Sequence, residues 1–268
     1  MFIAYINLAR REDRRVFMDS QLNLLGIPST RIGAVTPADL DPAAIDAYAN
    51  PRRPGWLTAA ELACTHSHVA AWRAFLDSPA KHALILEDDT ILSLKLPDFL
   101  ASFMDAAPEV DLLRLETTLR PLSIAPGGPV IEGVALRHYV GDVGGAAAYL
   151  ISRRAAEALV FDPEVYRRHM DRLLFDSEGA VARRFTVLQA VPALGIQARV
   201  MGAQAPVKLD SDLIDEPGRL RAEKPYALRH AIRRIATSVH RDTFGAARKI
   251  WFRRVGGAQR QRVPYSPN

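Results

Sequence analysis

The feature that most constrains this chain is an acidic run placed directly after an apolar strand. Residues 83–86 are Ala-Leu-Ile-Leu, and Glu87, Asp88 and Asp89 follow them. Three adjacent carboxylates repel one another, and a divalent cation is the usual means of offsetting such charge at a buried strand end. A hard cation held by carboxylate oxygens commonly also binds the phosphates of a nucleotide. The run therefore predicts a metal site for a nucleotide-linked substrate, with an acidic turn in solvent as the alternative.

The order of helical and strand patterns predicts an α/β fold. Residues 2–8 have a strand pattern, and residues 10–25 have apolar positions at helical spacing before Gly26. Residues 58–76 open with Thr-Ala-Ala-Glu, a capping-box pattern, and are predicted to be a helix. Strands that alternate with helices favour a mainly parallel sheet, whose ligands bind beyond the carboxyl ends of the strands. The remaining predictions are helices at 97–107, 152–160 and 163–174, strands at 29–35, 83–87, 111–115, 134–140 and 146–151, a final strand at 187–191, and a loop at 120–129.

The distribution of charge divides the chain into two regions. Residues 219–268 hold thirteen Lys and Arg residues against two acidic ones, a net charge of +11. Because the whole chain carries +5, residues 1–218 carry −6. We therefore expect a catalytic domain at 1–218 and a basic, amphipathic helical tail at 219–268.

The basic tail contains an amphipathic segment at residues 226–255. Apolar residues recur at helical spacing from Leu228 to Val239, and arginines cover the other faces. Such a segment is typical either of a helix on an anionic membrane surface or of a helix packed on the domain. Residues 256–268, which contain two Gly and two Pro, are expected to be frayed.

Composition limits the class of protein and its compartment. The sequence has no run of about 18 apolar residues, so no membrane-spanning helix is predicted. The apolar residues 1–8 are too short for a signal peptide and are expected to form a strand. The single cysteine, Cys64, excludes an internal disulfide and is typical of a reducing compartment. We expect a cytoplasmic protein, either free or peripheral on the inner face of the membrane.

Four motifs stand in order along residues 2 to about 200. They are Ile6-Asn7-Leu8 with Arg10, Asp13 and Arg14; Glu61-x-x-Cys64-x-x-Ser67-His68 with Trp72; Leu84-Ile85-Leu86-Glu87-Asp88-Asp89; and Ala148-Tyr149-Leu150-Ile151-Ser152. Together they resemble glycosyltransferase family 25, which includes bacterial lipopolysaccharide glycosyltransferases and collagen galactosyltransferase domains. The resemblance implies an A-type nucleotide-diphospho-sugar transferase fold, with a Rossmann-like, mainly parallel sheet flanked by helices. It also implies a UDP-sugar donor, commonly UDP-galactose, a divalent metal, with manganese expected, and inversion at the anomeric carbon.

In the resemblance, the acidic run takes the place of the Asp-x-Asp motif of other A-type transferases. Glu87 and Asp89 are two residues apart, so both point to the same side of an extended backbone. We assign Asp89 to the metal and Glu87 to the metal or the donor ribose. Asp88 is assigned to the donor site, where it would orient the loop. The metal would neutralise the diphosphate leaving group as a Lewis acid.

Further donor-binding candidates lie in the first motif. Asn7, Arg10, Asp13 and Arg14 stand where the first strand meets its helix, the turn that holds the nucleotide in this fold. Arginine can contact phosphate or base through its planar set of donors. A solvated helix face is the alternative interpretation of the charged residues.

The second motif supplies candidates with two interpretations each. Glu61 completes the cap of its helix or contacts the donor, and Ser67 and His68 bind the donor or pack in the core. Cys64 and Trp72 are interpreted as core residues, since no partner suggests a nucleophilic cysteine.

An inverting transfer needs a general base for the acceptor hydroxyl, and the sequence leaves its identity open. Asp171 is preferred because the family often has an aspartate in this region, and Asp142 and Asp176 are the alternatives. Gly144 and Gly145 suit either a sugar-binding loop or an ordinary turn.

These observations predict a metal-dependent inverting glycosyltransferase that moves a hexose, with galactose expected, from a UDP-sugar to lipopolysaccharide or another surface glycan. A nucleotide-sugar hydrolase would have the same donor site. The alternative from another class is a degenerate transferase body whose basic tail binds nucleic acid or a membrane. Nucleic acid is not an expected partner, because the positive charge is confined to the tail and the sequence has no stacking-aromatic motif or Cys/His finger.

Overall fold

The structure is a computed structural model that describes residues 1–53, 55–141, 144–205, 209 and 256–268. The amphipathic segment 226–255 and Asp142 lie outside the described residues. Among the described helices, none combines the length and hydrophobicity that a membrane span requires.

Eight α-helices and fourteen strands lie in the described ranges. The helices are α1 (Glu12–Leu24), α2 (Pro42–Tyr48), α3 (Ala59–Leu76), α4 (Leu96–Ala106), α5 (Arg153–Val160), α6 (Met170–Phe175), α7 (Ala180–Arg184) and α8 (Ala198–Met201). The strands are β1 (Phe2–Asn7), β2 (Thr30–Gly33), β3 (His82–Glu87), β4 (Thr90–Leu92), β5 (Leu112–Arg114), β6 (Glu116–Thr117), β7 (Pro121–Ile124), β8 (Val130–Ile131), β9 (Val134–Arg137), β10 (Tyr139–Val140), β11 (Ala148–Ser152), β12 (Val187–Val191), β13 (Gly195–Gln197) and β14 (Gln259–Arg262).

An eight-stranded sheet forms the centre of the described chain, in the order β2-β1-β3-β11-β5-β12-β9-β8. Strand β1 pairs in parallel with β2 and β3, and β12 pairs in parallel with β5. Strands β11 and β9 run antiparallel to their neighbours, so six of these eight strands share one direction. This mainly parallel sheet, flanked by helices, confirms the predicted A-type α/β fold class.

Side chains that alternate along the central strands build a core on each face of the sheet. Ala4 and Ile6 of β1 join one core with Trp72 and Phe75 of α3. Tyr5 of β1 points the other way, into a second core with residues of α1 and α4. Successive residues of a strand face opposite sides, so an apolar strand such as β1 or β3 requires helices on both faces.

Helix α3 begins at the capping box that the sequence predicts. Thr58 Oγ1 accepts a hydrogen bond from the Glu61 backbone N at 3.1 Å, and Glu61 Oε2 accepts one from the Thr58 backbone N at 2.9 Å. These two bonds satisfy donors that would otherwise be unpaired at the helix start. The cap fixes the first turn of the helix that carries Cys64 and His68.

Four predictions about individual segments are wrong. The predicted loop at 120–129 contains β7, whose partners β10 and β14 come from distant parts of the sequence. The predicted strand at 134–140 divides into β9 and β10, which lie in different sheets. The predicted helix at 163–174 divides into a 3₁₀ turn at Pro163–Arg167 and α6, because the backbone at 168–169 is extended. The strand at 187–191 is not the last, since β13 and β14 follow it.

Residues 256–268 return to the domain, so the prediction that they are frayed is wrong. Strand β14 pairs antiparallel with β7. Beyond it, the carbonyl of Val263 accepts a hydrogen bond from Thr117 Oγ1 at 2.7 Å, and the Val263 side chain is 1% exposed. The Gly and Pro content of the segment suggested fraying. The pairing of β14 with the open edge of β7 depends on tertiary structure, which local composition does not predict. The boundary at 218/219 stays a prediction.

We expect Val263→Ala to lower the free energy of unfolding by about 2 kcal/mol, because it leaves a cavity in a buried site. Gln259→Ala, on the exposed part of β14, is the matched control and should change stability by less than about 0.5 kcal/mol. Urea denaturation followed by circular dichroism measures both. Equal stability of the two variants would contradict the docking of this segment.

Candidate active site

The acidic run lies at the carboxyl end of the central strand β3, as the sequence predicts. Residues 83–86 of the strand are fully buried and apolar, and its last residue, Glu87, donates its backbone N–H to the carbonyl of Ala147 at 2.8 Å. Asp88 and Asp89 are 6% and 5% exposed. The chain therefore holds two nearly buried carboxylates side by side, which is costly unless each has partners.

Asp88 joins the acidic run to the turn between β1 and α1. Its Oδ2 accepts a hydrogen bond from Asn7 Nδ2 at 2.7 Å, and its Oδ1 accepts one from Arg14 Nη1 at 2.9 Å. Asn7 Oδ1 in turn accepts from Arg31 Nε at 2.9 Å. Burial raises the pKa of Asp88, and the bonds from Asn7 and Arg14 oppose that shift. Both carboxylate oxygens are engaged, so Asp88 is suited to hold the loop in place.

Glu87 and Asp89 point to the same side and share one hydrogen-bond donor. Gln197 Nε2 lies 3.1 Å from Glu87 Oε2 and 3.2 Å from Asp89 Oδ1. The side-chain oxygen of Gln197 accepts from Arg199 Nη2 at 3.0 Å, which fixes the orientation of the amide. The sequence analysis missed Gln197, because its position follows from the antiparallel pairing of β13 with β4.

The electrostatics of the run favour a divalent cation. Burial and, second to it, the neighbouring charge of Glu87 raise the pKa of Asp89 to about 6. Arg14 pairs with Asp88 and lies 3.9 Å from Asp89 Oδ2, but one guanidinium offsets one negative charge among three carboxylates. Carboxylate oxygens are the ligands that hard divalent cations prefer. The residues therefore fit a metal held by Asp89 and Glu87.

A chain of hydrogen bonds connects the core to Glu87 through His68. Trp72 Nε1 donates to the Tyr149 hydroxyl at 2.9 Å, and that hydroxyl lies 3.0 Å from His68 Nδ1. The opposite ring nitrogen, Nε2, lies 3.4 Å from Glu87 Oε1. Because indole is a donor only, the hydroxyl accepts from Trp72, and the direction of its bond with Nδ1 depends on the tautomer of His68. His68 is thus both a core residue and a neighbour of the acidic run.

The four candidates of the first motif separate into two pairs. Asn7 and Arg14 are buried and bind Asp88. Arg10 and Asp13 are exposed, and Asp13 Oδ2 pairs with Arg11 Nη2 at 2.8 Å. The hydrogen bonds from Arg11 lower the pKa of Asp13 to about 2. Asp13 thus lies on the solvated face of α1, as the alternative interpretation held.

Glu61 and Ser67 have partners in the scaffold. Besides capping α3, Glu61 pairs through Oε1 with His169 Nδ1 at 3.2 Å. The buried Ser67 hydroxyl donates to the carbonyl of Ala63 and accepts from the backbone N of Val35, each at 2.9 Å. The Ser67 bonds attach α3 to the segment after β2, and the Glu61 pair attaches α3 to the start of α6. These contacts favour the structural interpretation of both residues.

Asp171 approaches the glycine pair that precedes β11. Its Oδ2 accepts a hydrogen bond from the Gly145 backbone N at 3.2 Å, so one carboxylate of α6 faces this edge of the sheet. Asp176, the alternative in the same region, accepts from the Glu178 backbone N at 3.0 Å and closes a turn. Among the described aspartates, Asp171 is therefore the better-placed candidate for a general base. Asp142 lies outside the described residues.

Glu116 is a further buried acid that the sequence analysis missed. It is 0% exposed; its Oε1 accepts from the Ala147 backbone N at 2.8 Å and lies 3.7 Å from Arg114 Nη2. Its Oε2 has no hydrogen-bond partner among the described residues. Burial raises the pKa of Glu116 to about 7 despite Arg114, and the charges of Glu87 and Asp89 add to the shift. The sequence did contain a signal for this buried acid: Arg114 and Glu116 stand two positions apart in the otherwise apolar stretch 112–116.

Gly145 covers the carboxylate of Glu116. Its φ of +92° favours glycine, and a Cβ added there would lie 2.6 Å from Glu116 Oε1. The glycine pair therefore allows the backbone to approach a buried acid, while Arg114 donates to the carbonyl of Gly144 at 2.6 Å.

Residues 1–124 match the family model of glycosyltransferase family 25, described as an LPS biosynthesis protein. The match runs from β1 to β7 and includes the acidic run and its partners Asn7 and Arg14. This part of the chain is similar to glycosyltransferase family 25. The resemblance predicted from the motifs is thereby confirmed over residues 1–124.

Curated relatives are lacto-N-neotetraose biosynthesis glycosyltransferases of Neisseria. LgtB of Neisseria meningitidis serogroup A / serotype 4A is 28% identical over 165 residues, which are 56% of this chain and 56% of that protein. LgtB of Neisseria gonorrhoeae is 29% identical over 209 residues, or 72% of each chain. LgtE of Neisseria gonorrhoeae is 27% identical over 207 residues, again 72% of each. The chain thus spans little more than half the length of the meningococcal relative.

Solved structures align more loosely. A glycosyltransferase involved in the glycosylation of the major capsid of PBCV-1 aligns with a TM-score of 0.41 and 11% identity, over 73% of this chain and 92% of that one. A putative glucose-1-phosphate thymidylyltransferase from Bacillus anthracis aligns with a TM-score of 0.39 and 10% identity, over 78% of each chain. The fold class rests on the sheet and helix layers of the chain itself.

We expect Glu116 to make the folded protein less stable as the pH rises. The pKa of its buried carboxyl is raised to about 7, whereas a glutamate in an unfolded chain has a pKa of about 4.3. The folded state therefore binds this proton more tightly. As the pH rises from about 5 to about 8, the free energy of unfolding should fall by on the order of 2–3 kcal/mol. Glu116→Gln removes this titration and should reduce the dependence, leaving the smaller part that comes from Asp89.

Urea unfolding in a buffer with EDTA, repeated across that pH range, measures the effect without divalent ions. Glu109→Gln, at an exposed position, is the matched control and should keep the wild-type dependence. The interpretation of Glu116 is wrong if Glu116→Gln and the wild type lose stability in parallel.

Proposed function

We propose that the protein is a metal-dependent inverting glycosyltransferase that moves a hexose, with galactose expected, from a UDP-sugar to lipopolysaccharide or another surface glycan. The observation that carries the proposal is the acidic run at the carboxyl end of β3. Glu87 and Asp89 share the amide of Gln197, and Asp88 is bonded to the β1–α1 turn. Open α/β sheets bind ligands at such strand ends.

In this proposal Asp89 and Glu87 hold a divalent cation, expected to be manganese. When bound, the metal would supply Lewis-acid stabilisation of the diphosphate leaving group. Asn7 and Arg14 hold Asp88 and so keep the donor turn against the acidic run. His68, whose Nε2 lies 3.4 Å from Glu87 Oε1, restrains that carboxylate from the side of the core. Arg10 is the other proposed donor contact, whereas Asp13, Glu61 and Ser67, which were further candidates, have scaffold partners.

The proposed general base is Asp171. Its carboxylate is partly exposed and accepts from the backbone of Gly145, the glycine that covers the buried acid Glu116. An acceptor hydroxyl that reaches this edge of the sheet would give its proton to Asp171 as the glycosidic bond forms. Asp142, two positions before Gly144 in the sequence, is the alternative base.

The acceptor class is proposed from the family and its relatives. The family model is described as an LPS biosynthesis protein, and the neisserial relatives are named as lacto-N-neotetraose biosynthesis glycosyltransferases. An enzyme that modifies a lipid-linked glycan gains from contact with the cytoplasmic face of the membrane. We propose that the basic segment 226–255 supplies this contact through anionic lipid headgroups.

We expect UDP to bind in the presence of manganese and Asp89→Ala to abolish that manganese-dependent binding. Removing the ligand leaves the cation and the diphosphate with fewer oxygen contacts, so the affinity should fall at least about tenfold. Isothermal titration of UDP into the full chain, with and without manganese, measures this directly.

The matched control is Asp105→Ala, which removes an exposed aspartate from α4 and should bind UDP as the wild type does. Absence of UDP binding by the wild type under both conditions would overturn the donor assignment. It would favour the degenerate body with a binding tail as the alternative function.

We expect Asp171→Asn to lower turnover by about 10²- to 10⁴-fold, because the amide cannot accept the acceptor proton. Manganese-dependent UDP binding should stay unchanged, since Asp171 is not a proposed metal ligand. UDP release from UDP-galactose in the presence of lipooligosaccharide measures turnover. Asp176→Asn, which affects only a turn, is the control; near-normal turnover by Asp171→Asn would remove that residue from the role.

A further inference from the structure

Three potential metal ligands of different chemistry converge between α3 and the end of β3. One ligand atom each from Cys64, His68 and Glu87 lies within 4.8 Å of the others. Cys64 and His68 are four residues apart on α3, so they occupy the same face of the helix, one turn apart. The cluster therefore combines a thiol and an imidazole from one helix with a carboxylate from the sheet.

His68 is the member whose geometry points to a ligand. The residue is buried, and its Nε2 has no hydrogen-bond partner among the described residues although it faces the cluster. Nε2 lies 3.4 Å from Glu87 Oε1, and two ligands on a tetrahedral zinc ion stand about 3.3 Å apart. A buried imidazole nitrogen without a hydrogen-bond partner costs free energy that a bound cation would recover.

The other ring nitrogen of His68 is held as in known metal sites. Its Nδ1 lies 3.0 Å from the Tyr149 hydroxyl, which is itself fixed by the indole N–H of Trp72 at 2.9 Å. Metal-bound histidines almost always donate the N–H of the second nitrogen to such a partner, which orients the ring. A hydroxyl oxygen has two lone pairs, so that of Tyr149 can accept from both Trp72 and Nδ1–H, which leaves Nε2 unprotonated toward Glu87.

We propose that Cys64, His68 and Glu87 form a binding site for a divalent ion of the zinc class, with a fourth position open to water. Thiolate and imidazole select zinc, whereas oxygen-only ligand sets suit magnesium, calcium and manganese. This ligand set therefore differs in selectivity from the carboxylates of Asp89 and Glu87. From the sequence, Cys64 was interpreted as a core residue and was assigned to no site.

The surroundings of Cys64 favour a cation. Burial raises the pKa of its thiol, and the carboxylates of Glu87, Asp171 and Glu61 raise it further. The same negative charges attract a metal ion, and a bound metal deprotonates a coordinating thiol outright. Cys64 and Glu87 are partly exposed, whereas His68 is buried.

Glu87 connects this site to the acidic run. Its Oε1 faces His68, while its Oε2 accepts from Gln197, which also binds Asp89. One carboxylate is therefore shared by a zinc-class ligand set and a hard-metal ligand set. It follows, if the proposed function holds, that zinc competes with manganese-dependent donor binding.

Titration with Co²⁺, a spectroscopic substitute for zinc, tests the site without substrate. Cys64 is the single cysteine of the chain, so a thiolate-to-cobalt charge-transfer band in the near ultraviolet can come from no other residue. We expect this band in the untagged, metal-free full chain, together with the visible bands of a tetrahedral ion. Added zinc should abolish both.

Variants separate this site from the donor site. Cys64→Ser should lose the band, and His68→Gln should weaken cobalt binding at least about tenfold. Asp89→Asn should keep the band, because it alters only the hard-metal set. No band in a wild-type chain that circular dichroism shows to be folded would overturn the proposal, as would unchanged cobalt affinity in His68→Gln. Neither result depends on UDP, so failure of the proposed function would be seen separately.

Discussion

The hydrogen bonds of Asp88 with Asn7 and Arg14 are the contacts on which the candidate site depends. They join the end of β1, the first turn of α1 and the end of β3 at one buried point. A buried charge is stable only when its partners are present and well aligned, because the loss of water must be recovered by those bonds. The three side chains therefore act as a unit. Removing Asn7 or Arg14 would leave the buried carboxylate of Asp88 without one of its hydrogen bonds. It would also displace Asp89, the residue that follows Asp88.

A second connection reaches the acidic run through the backbone of Ala147. Its carbonyl accepts the N–H of Glu87 at 2.8 Å and the hydroxyl of Thr90 at 3.0 Å, and its N–H binds Glu116. The residue before β11 thus ties two groups of acids into one electrostatic system. Each ionised member raises the pKa of the others, which is why Glu116 and Asp89 are both shifted upward. A cation at the run would lower the cost of ionising all of them.

The sequence predicted what local periodicity and motifs determine. The span of α3, its capping box and the position of the acidic run after β3 all follow from residues that are close in sequence. Gln197, Glu116 and strand β14 were not predicted, because each depends on pairing between distant segments. Composition gave a wrong prediction for 256–268: Gly and Pro suggested fraying, but part of this segment pairs with the edge of β7 as β14. Local signals thus predict the acidic run, whereas pairing between distant segments supplies partners of the run such as Gln197.

In the two proposed metal sites, Glu87 is the residue at which selectivity for metals would be decided. Asp89 offers oxygen alone, whereas Cys64 and His68 offer sulfur and nitrogen, and Glu87 has one oxygen toward each set. Softer ions gain most from thiolate and imidazole, and hard ions gain most from carboxylates and phosphate. A nucleotide diphosphate adds oxygen ligands only on the side of Asp89, so donor binding would shift the balance toward the hard ion. The buried His68, held from behind by Tyr149, keeps the opposing ligand set in place in the absence of a donor.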